Sequence, residues 1–208
     1  MQRARCSLWT VATPLGEDMS MIDELREYQF TPEAWEKYWT LFESLCLPIR
    51  GDKYGKLQGL WQERVGDNVT FRHLWRYESL DERARLRAQL IQVDAWRENF
   101  LPQAAAQVSQ QFLQVLIPRL ETVTDSLAPV RYLHTYRCPA GKAGAVIQQI
   151  NSAVAEGRSH VCGLWATEFS DPNQVVVMGA DREAPQVDIQ ASLVVETRSL
   201  KPLRVLPT

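Results

Sequence analysis

The side chains able to do chemistry in this chain are few, and most fall in short runs that alternate like strands. Three histidines are present, His73, His134 and His160. Histidine is the side chain whose charge changes near neutral pH. His73 lies in VTFRHLWRY (69–77) and His134 in YLHTYRCPAG (132–141), both strand-like. Each can reach a barrel interior as a general acid/base or as a ligand to haem iron. The plainer expectation is a hydrogen-bonded sheet histidine, with His73 beside Trp75. His160 falls at a loop–strand junction and carries no assignment. Arg26, Arg72 and Arg76 also sit on strand-like runs, where a charge needs a partner or water. One of them can clamp a carboxylate, or each can pair across the sheet with Glu24, Glu27 or Glu63. Tyr28, Trp61, Trp75 and Trp165 can line a cavity for an apolar or aromatic ligand, or simply fill a core. The run Arg83, Arg85, Arg87 reads as a solvated helix face.

The common catalytic signatures are missing. There is no nucleophile elbow, phosphate loop, HExxH or paired-carboxylate motif. Gly141, Gly144 and Gly163 do not make a dinucleotide fingerprint. The four cysteines, Cys6, Cys46, Cys138 and Cys162, include no CxxC pair and no histidine at metal-ligand spacing. No metal site and no disulfide framework are expected, which suits a reducing compartment. With a net charge of −2, the chain lacks the basic balance that draws proteins to nucleic acid. No apolar run approaches the ~20 residues that span a bilayer.

The elements that must position these groups can be read from periodicity. Residues 22–30, IDELREYQF, alternate at period two and predict a strand. Thr31 is placed to cap a helix, with Pro32 in its first turn. Trp35, Tyr38, Trp39, Phe42, Leu45 and Cys46 form one helical face, and Pro48, Gly51 and Gly55 are expected to end the helix. Residues 57–65 and 69–77 flank the turn Gly66-Asp67-Asn68 as a hairpin. Ser79 and Glu82 make a capping box for a second helix bearing Leu86, Leu90 and Ile91. Asp94 can cap a further segment with Trp96 and Phe100, kinked or restarted at Pro102. FLQVLI (112–117) is the last strand of a β-α-β-β-α-β module over 21–120.

The second half repeats the first. Leu25 and Tyr28 recur as Leu133 and Tyr136, 108 positions later. QGLW (58–61) recurs as CGLW (162–165), and the turn residue Asp67 as Asp171, both 104 positions later. A thin apolar stripe, Ala143, Val146, Ile147, Ile150, Ala153 and Val154, supplies one helix. The arginine-rich helix has no counterpart, so residues 129–204 read as a truncated second module. Residues 1–20, with Arg3 and Arg5 and no acid before Glu17, read as a disordered arm or as an extension ahead of a start near Met19 or Met21. They are faintly like a transit segment.

The strands are apolar on both faces, and a sheet with helices on one side leaves the other uncovered. Large exposed apolar patches are rare on soluble monomers, so sheet must pack against sheet, within one chain or between two. A homodimer is expected in either case.

Three stretches, ELREY, GLW with its acid at Glu63, and HLWRYESLDERARLRAQL followed by Trp96, resemble the NIPSNAP domain. The resemblance covers most of residues 22–120, with a weaker echo in the second half. There Val177, Met178, Gly179 and Ala180 stand where the first half has His73, Leu74, Trp75 and Arg76. It implies an α+β fold of tandem ferredoxin-like modules in the dimeric α/β-barrel superfamily, the second lacking one helix. It implies no agreed reaction. Animal members are linked to mitochondria, vesicle transport and protein interaction, and related barrels include cofactor-independent monooxygenases, haem-degrading enzymes and chlorite dismutases. The expected protein is a small-ligand-binding or protein-interaction module without a cofactor, located in the cytoplasm, or in mitochondria if eukaryotic. The alternative is a monooxygenase- or isomerase-like enzyme on a small apolar or aromatic substrate, with His73 moving a proton and Arg26, Tyr28, Trp61, Trp75, Arg76, His134 and Trp165 around it. Haem is the one cofactor held open.

Overall fold

The computed structural model describes residues 21–120, 130–169, 171–189 and 192–203. The expected arm, residues 1–20, lies outside them.

Strand β1 (Ile22–Phe30) leads to helix α1 (Pro32–Leu41), which runs through a π-helical turn (Phe42–Cys46) into α2 (Leu47–Arg50). Strands β2 (Lys56–Val65) and β3 (Asn68–Tyr77) form the hairpin. Helix α3 (Leu80–Leu90) is followed by a second π-helical segment (Ala95–Phe100), α4 (Leu101–Ala105) and strand β4 (Gln110–Pro118). Strand β5 (Arg131–Arg137), helix α5 (Ala143–Ala155) and strands β6 (Val161–Thr167), β7 (Gln174–Gly179) and β8 (Leu193–Pro202) complete the chain. No helix stands between β7 and β8 among the described residues.

The helix starts follow their caps. Thr31 accepts from the Ala34 N–H at 3.3 Å, and Ser79 accepts from the Glu82 N–H at 3.0 Å. Glu82 reaches back to the Glu78 N–H at 2.6 Å. The first helix does not stop at Pro48. Proline cannot donate to the carbonyl four residues back, and its ring crowds that carbonyl. The turn before it widens instead, and Leu47 N–H bonds Phe42 C=O, five residues back. The helix then runs on to Arg50 and ends at Gly51, whose φ is +46°. Pro102 has the same effect: Leu101 N–H bonds Trp96 C=O. The Asp94 side chain does not cap this segment.

The eight strands close into one barrel within a single chain, in the order β1-β3-β2-β8-β5-β7-β6-β4. Each half of the chain gives four neighbouring strands. The seams between halves are short: Leu116–Pro118 against Trp165–Thr167, and Trp61–Gln62 against Lys201–Pro202. Alternation sorts each strand into two faces. Outward, Ile22, Tyr28, Phe30, Phe71 and Trp75 pack under the first-half helices with Trp35, Tyr38 and Phe42. Val161, Leu164, Val175 and Val177 pack under α5 with Val146 and Ile150. Inward, Leu25, Trp61, Leu74, Leu116, Leu133, Trp165, Val176, Met178 and Leu200 fill the barrel.

The recurring glycine-leucine-tryptophan triplet has one structural meaning in both halves. A β-bulge precedes each glycine, between Leu57 and Gly59 and between Val161 and Gly163. Each tryptophan folds back over the glycine two residues earlier. A Cβ on Gly59 would stand 2.3 Å from Trp61 Cη2, and one on Gly163 2.1 Å from Trp165 Cη2.

Candidate functional site

The sequence pointed to the barrel interior, and the structure places the histidines on the opposite face. His73 lies with Phe71 and Trp75 on the outer, helix-covered side of β3. His134 is outward too, on β5, where its ring bonds Thr197 Oγ1 at 3.1 Å and the Asp181 carbonyl at 3.2 Å. Period-two alternation shows which residues share a face, but not which face looks inward. Trp61, Trp165 and Arg76 do face the interior. Arg76 holds Asp23 with two bonds of 2.8 Å, and Trp165 Nε1 donates to Asp23 at 2.8 Å, joining the two halves. Arg72 lies inside as well, fixed by Glu27 and Glu63 at 2.9 Å each. A cavity of about 340 Å³ lies at one end of the barrel, edged by Glu27, Arg72, Glu196 and Arg198.

The better-built site lies between the first-half sheet and its helices. This cavity of about 570 Å³ has Arg26, Tyr28 and His73 on its sheet side. Tyr38, Phe42, Cys46 and Arg50 form one wall. Arg87, Leu90, Trp96, Phe100, Ala104 and Ala105 form the other. Both π-helical segments therefore contribute to it, and such segments occur often at functional sites.

Charge organises the sheet side of the cavity. Glu24, fully buried, bonds Arg26 and Arg83, and Arg87 approaches it to 3.8 Å. The arginine run expected to be solvated thus sends two of its three side chains toward one buried acid, Arg87 while still half-exposed; Arg85 stays near Glu82. Arg26 also donates to the Tyr28 hydroxyl at 2.7 Å, and Gln111 donates to the same oxygen at 2.9 Å. Burial works against charge on Arg26, but Tyr28 and Glu24 more than offset it and hold the guanidinium protonated. Burial raises the Tyr28 phenol against the pull of Arg26.

His73 has a fixed tautomer. Trp75 Nε1 donates to His73 Nδ1 at 2.6 Å. An indole N–H only donates, so Nδ1 is the acceptor and the neutral ring carries its proton on Nε2. Nε2 has no partner among the described residues. Burial, with the charges of Arg26 and Arg50, holds the imidazole well below its usual 6.5. Arg50 is buried over the Trp75 ring, 3.5 Å from its centroid, and donates to Tyr54 C=O and the Tyr77 hydroxyl. Burial raises the Cys46 thiol to about 12, so it stays protonated.

Residues 23–119 match the model of the NIPSNAP family. The first half of the chain is similar to NIPSNAP domains. Human protein NipSnap homolog 3B is 29% identical over 164 residues, covering 74% of this chain and 65% of that protein. The match therefore spans less than two thirds of the relative. A NIPSNAP family protein of unknown function from Agrobacterium tumefaciens is 25% identical over 51% of this chain and 96% of its own, with a TM-score of 0.46. A provisionally assigned monooxygenase from Fusobacterium nucleatum shares 10% identity over 90% of this chain and 94% of its own, with a TM-score of 0.62. That likeness speaks for the barrel fold alone.

The pocket lies within the matched first half. Arg26 pairs in register with His73, and in the second half His134 pairs with Val177. The groove there is covered by the link after β7: Tyr136 donates to Pro185 C=O at 2.5 Å, and Ala184, Val187 and Ile189 pack on the core. Arg50 and Arg87 were not legible as site residues. Pro48 looked like a helix end, which put Arg50 in a loop, and Arg87 looked like surface charge. The sequence signal available for Arg50 was the leucine-proline pair 47–48 inside an otherwise unbroken helical stripe; no comparable signal marked Arg87.

Proposed function

We propose that this NIPSNAP-like protein binds a small ligand in the cavity beneath the first-half helices, rather than inside the barrel. The observation that carries this reading is the cavity itself. Its volume, about 570 Å³, falls in the range of small-ligand sites, and a few polar groups converge within aromatic and aliphatic walls. The two halves act as tandem ferredoxin-like modules, over 21–120 and 129–204. The first holds the ligand and the second supplies the partner sheet. The unpaired thiols Cys46, Cys138 and Cys162 suit a reducing compartment such as the cytoplasm.

The site geometry favours binding over proton transfer. A general base needs a free lone pair, and the lone pair on His73 Nδ1 already accepts from Trp75. The same tautomer does not fit a histidine ligand to haem iron, which needs the Nε2 lone pair. A protonated Cys46 thiol is neither nucleophile nor ligand.

The neutral fluorophore N-phenyl-1-naphthylamine tests the reading. It is expected to bind saturably, one per chain, and to lose that binding in Ala105→Trp, which fills the cavity mouth. Leu133→Trp, at the barrel-end cavity, serves as the comparison. Binding that survives Ala105→Trp, or that is lost only in Leu133→Trp, would overturn it.

We also propose homodimerisation through β8. Leu193, Val194 and Val195 are exposed, and Leu193–Leu200 pairs only with β5 among the described residues. Such an open apolar edge invites a second strand. Val194→Lys should convert a sedimenting dimer to monomer; a native monomer at high concentration refutes the pairing.

A further inference from the structure

We propose that the ligand of this cavity is an amphipathic organic anion, an acid head on an apolar body; this rests on the pocket reading above. The argument begins with uncompensated charge. Around the cavity stand four guanidinium groups, Arg26, Arg50, Arg83 and Arg87, and Glu24 is the carboxylate that meets Arg26, Arg83 and Arg87. Three of the four share that one acid. Arg50, only 4% exposed, has no carboxylate partner among the described residues. Its charge rests on the Trp75 face, a carbonyl and a phenol. No aspartate or glutamate lines the cavity, whereas Arg26, Arg50 and Arg87 all do.

A buried cation without a counter-ion is costly. An anion in the cavity removes that cost, and a neutral ligand of the same shape does not. The donors match an oxyanion. Arg26 and Arg50 carry fixed charge, and guanidinium forks fit carboxylate and phosphate oxygens. Neutral His73 presents an Nε2–H, and Arg50 an Nε–H, that have no acceptor among the described residues. An imidazole locked as a donor is the form that serves an anion. Away from these groups the walls turn apolar: Phe42, Leu90, Trp96, Phe100, Leu101 and Ala104. The cavity thus combines cationic donors with aromatic and aliphatic walls, which selects against inorganic phosphate and against neutral hydrocarbons.

Two fluorophores with one skeleton make the test. 1-Anilinonaphthalene-8-sulfonate carries an anion that N-phenyl-1-naphthylamine lacks. The anion is expected to bind the native protein about tenfold more tightly, the scale of one charge-assisted hydrogen bond. In Arg26→Gln the ratio of affinities should collapse toward one. Arg87→Ala, at a half-exposed position, should lower the ratio by about threefold, a screened partial contribution. Displacement by decanoate and by decyl phosphate then tells a carboxylate site from a phosphate site; displacement by either supports the proposal. If neither fluorophore binds, the pocket reading fails and takes this proposal with it. If both bind equally, or if the ratio survives both substitutions, the pocket stands and the anion is overturned.

Discussion

His73 and Trp75 are two residues apart on one strand face, and a single hydrogen bond between them decides what the histidine can do. The sequence made His73 a candidate and named Trp75 as its neighbour. It could not assign the tautomer, because that depends on which ring nitrogen meets the indole. The same bond has a consequence for stability. The folded-state pKa of His73 lies well below 6.5, because burial and then Arg26 and Arg50 oppose its charge. The unfolded chain gains a proton as pH falls through 6.5 and the folded chain does not. Folding stability is therefore full above 6.5 and is lost as pH falls below it, by about 1.4 kcal/mol per pH unit. His134 adds to the slope in the same direction, again mainly through burial. His73→Gln keeps an acceptor for Trp75 and removes the titrating group. Between pH 6.5 and 5, before most carboxylates titrate, this variant should lose less stability to urea unfolding than the native protein does. An unchanged pH slope would mean that His73 is already charged in the folded state.

At the scale of elements, the first-half strands, the hairpin and the caps at Thr31 and Ser79 were legible because each has a local cause: a capping side chain, the Gly66 turn, period-two alternation. The π-helical segments were not, because a proline in a helix can end it, kink it or widen the turn before it. In the folded chain the widened turns bring Phe42 and Phe100 against Tyr38, a tertiary contact that no local pattern reports. The repeated triplet lies between the two cases. Its spacing was visible, and its reason is the close approach of an indole to a backbone without a Cβ. This gives a specific expectation. Trp165 is fully buried and tied to Asp23 through its Nε1, so it cannot swing away from a new methyl group. Gly163→Ala should destabilise the protein by about 1–3 kcal/mol, as overpacked cores do. Trp165→Leu should also destabilise it, but the double variant should cost less than the sum, and urea denaturation reads this directly as a coupling. Strict additivity would show that the glycine serves the bulge alone.

For the whole molecule, the open question in the sequence was whether the apolar inner faces meet within one chain or between two. The strands alone were neutral on this point, since a pair of four-stranded halves looks the same in either arrangement. The structure closes the barrel within the chain, yet the hydrogen-bonded seams are only a few residues long. The union of the halves must therefore reside mostly in the interior: Leu25, Trp61, Leu74 and Leu116 from one side against Leu133, Trp165, Val176, Met178 and Leu200 from the other. At about 1.5–3 kcal/mol for each large apolar side chain withdrawn from water, this interface outweighs the seam hydrogen bonds, each worth about 1 kcal/mol net. It also completes the pairing of Asp23, which loses the Trp165 bond if the halves part. Residues 21–120 produced without the second half should bare that face and recover cover by pairing with a copy. Sedimentation should then find a dimer or larger species with native-like circular dichroism. The intact chain, dimeric or not through β8, should unfold in one transition, since neither half keeps its inner face covered alone. If the fragment were a soluble, folded monomer, or if the intact chain unfolded in two separate steps, the shared interior would not be what holds the barrel closed.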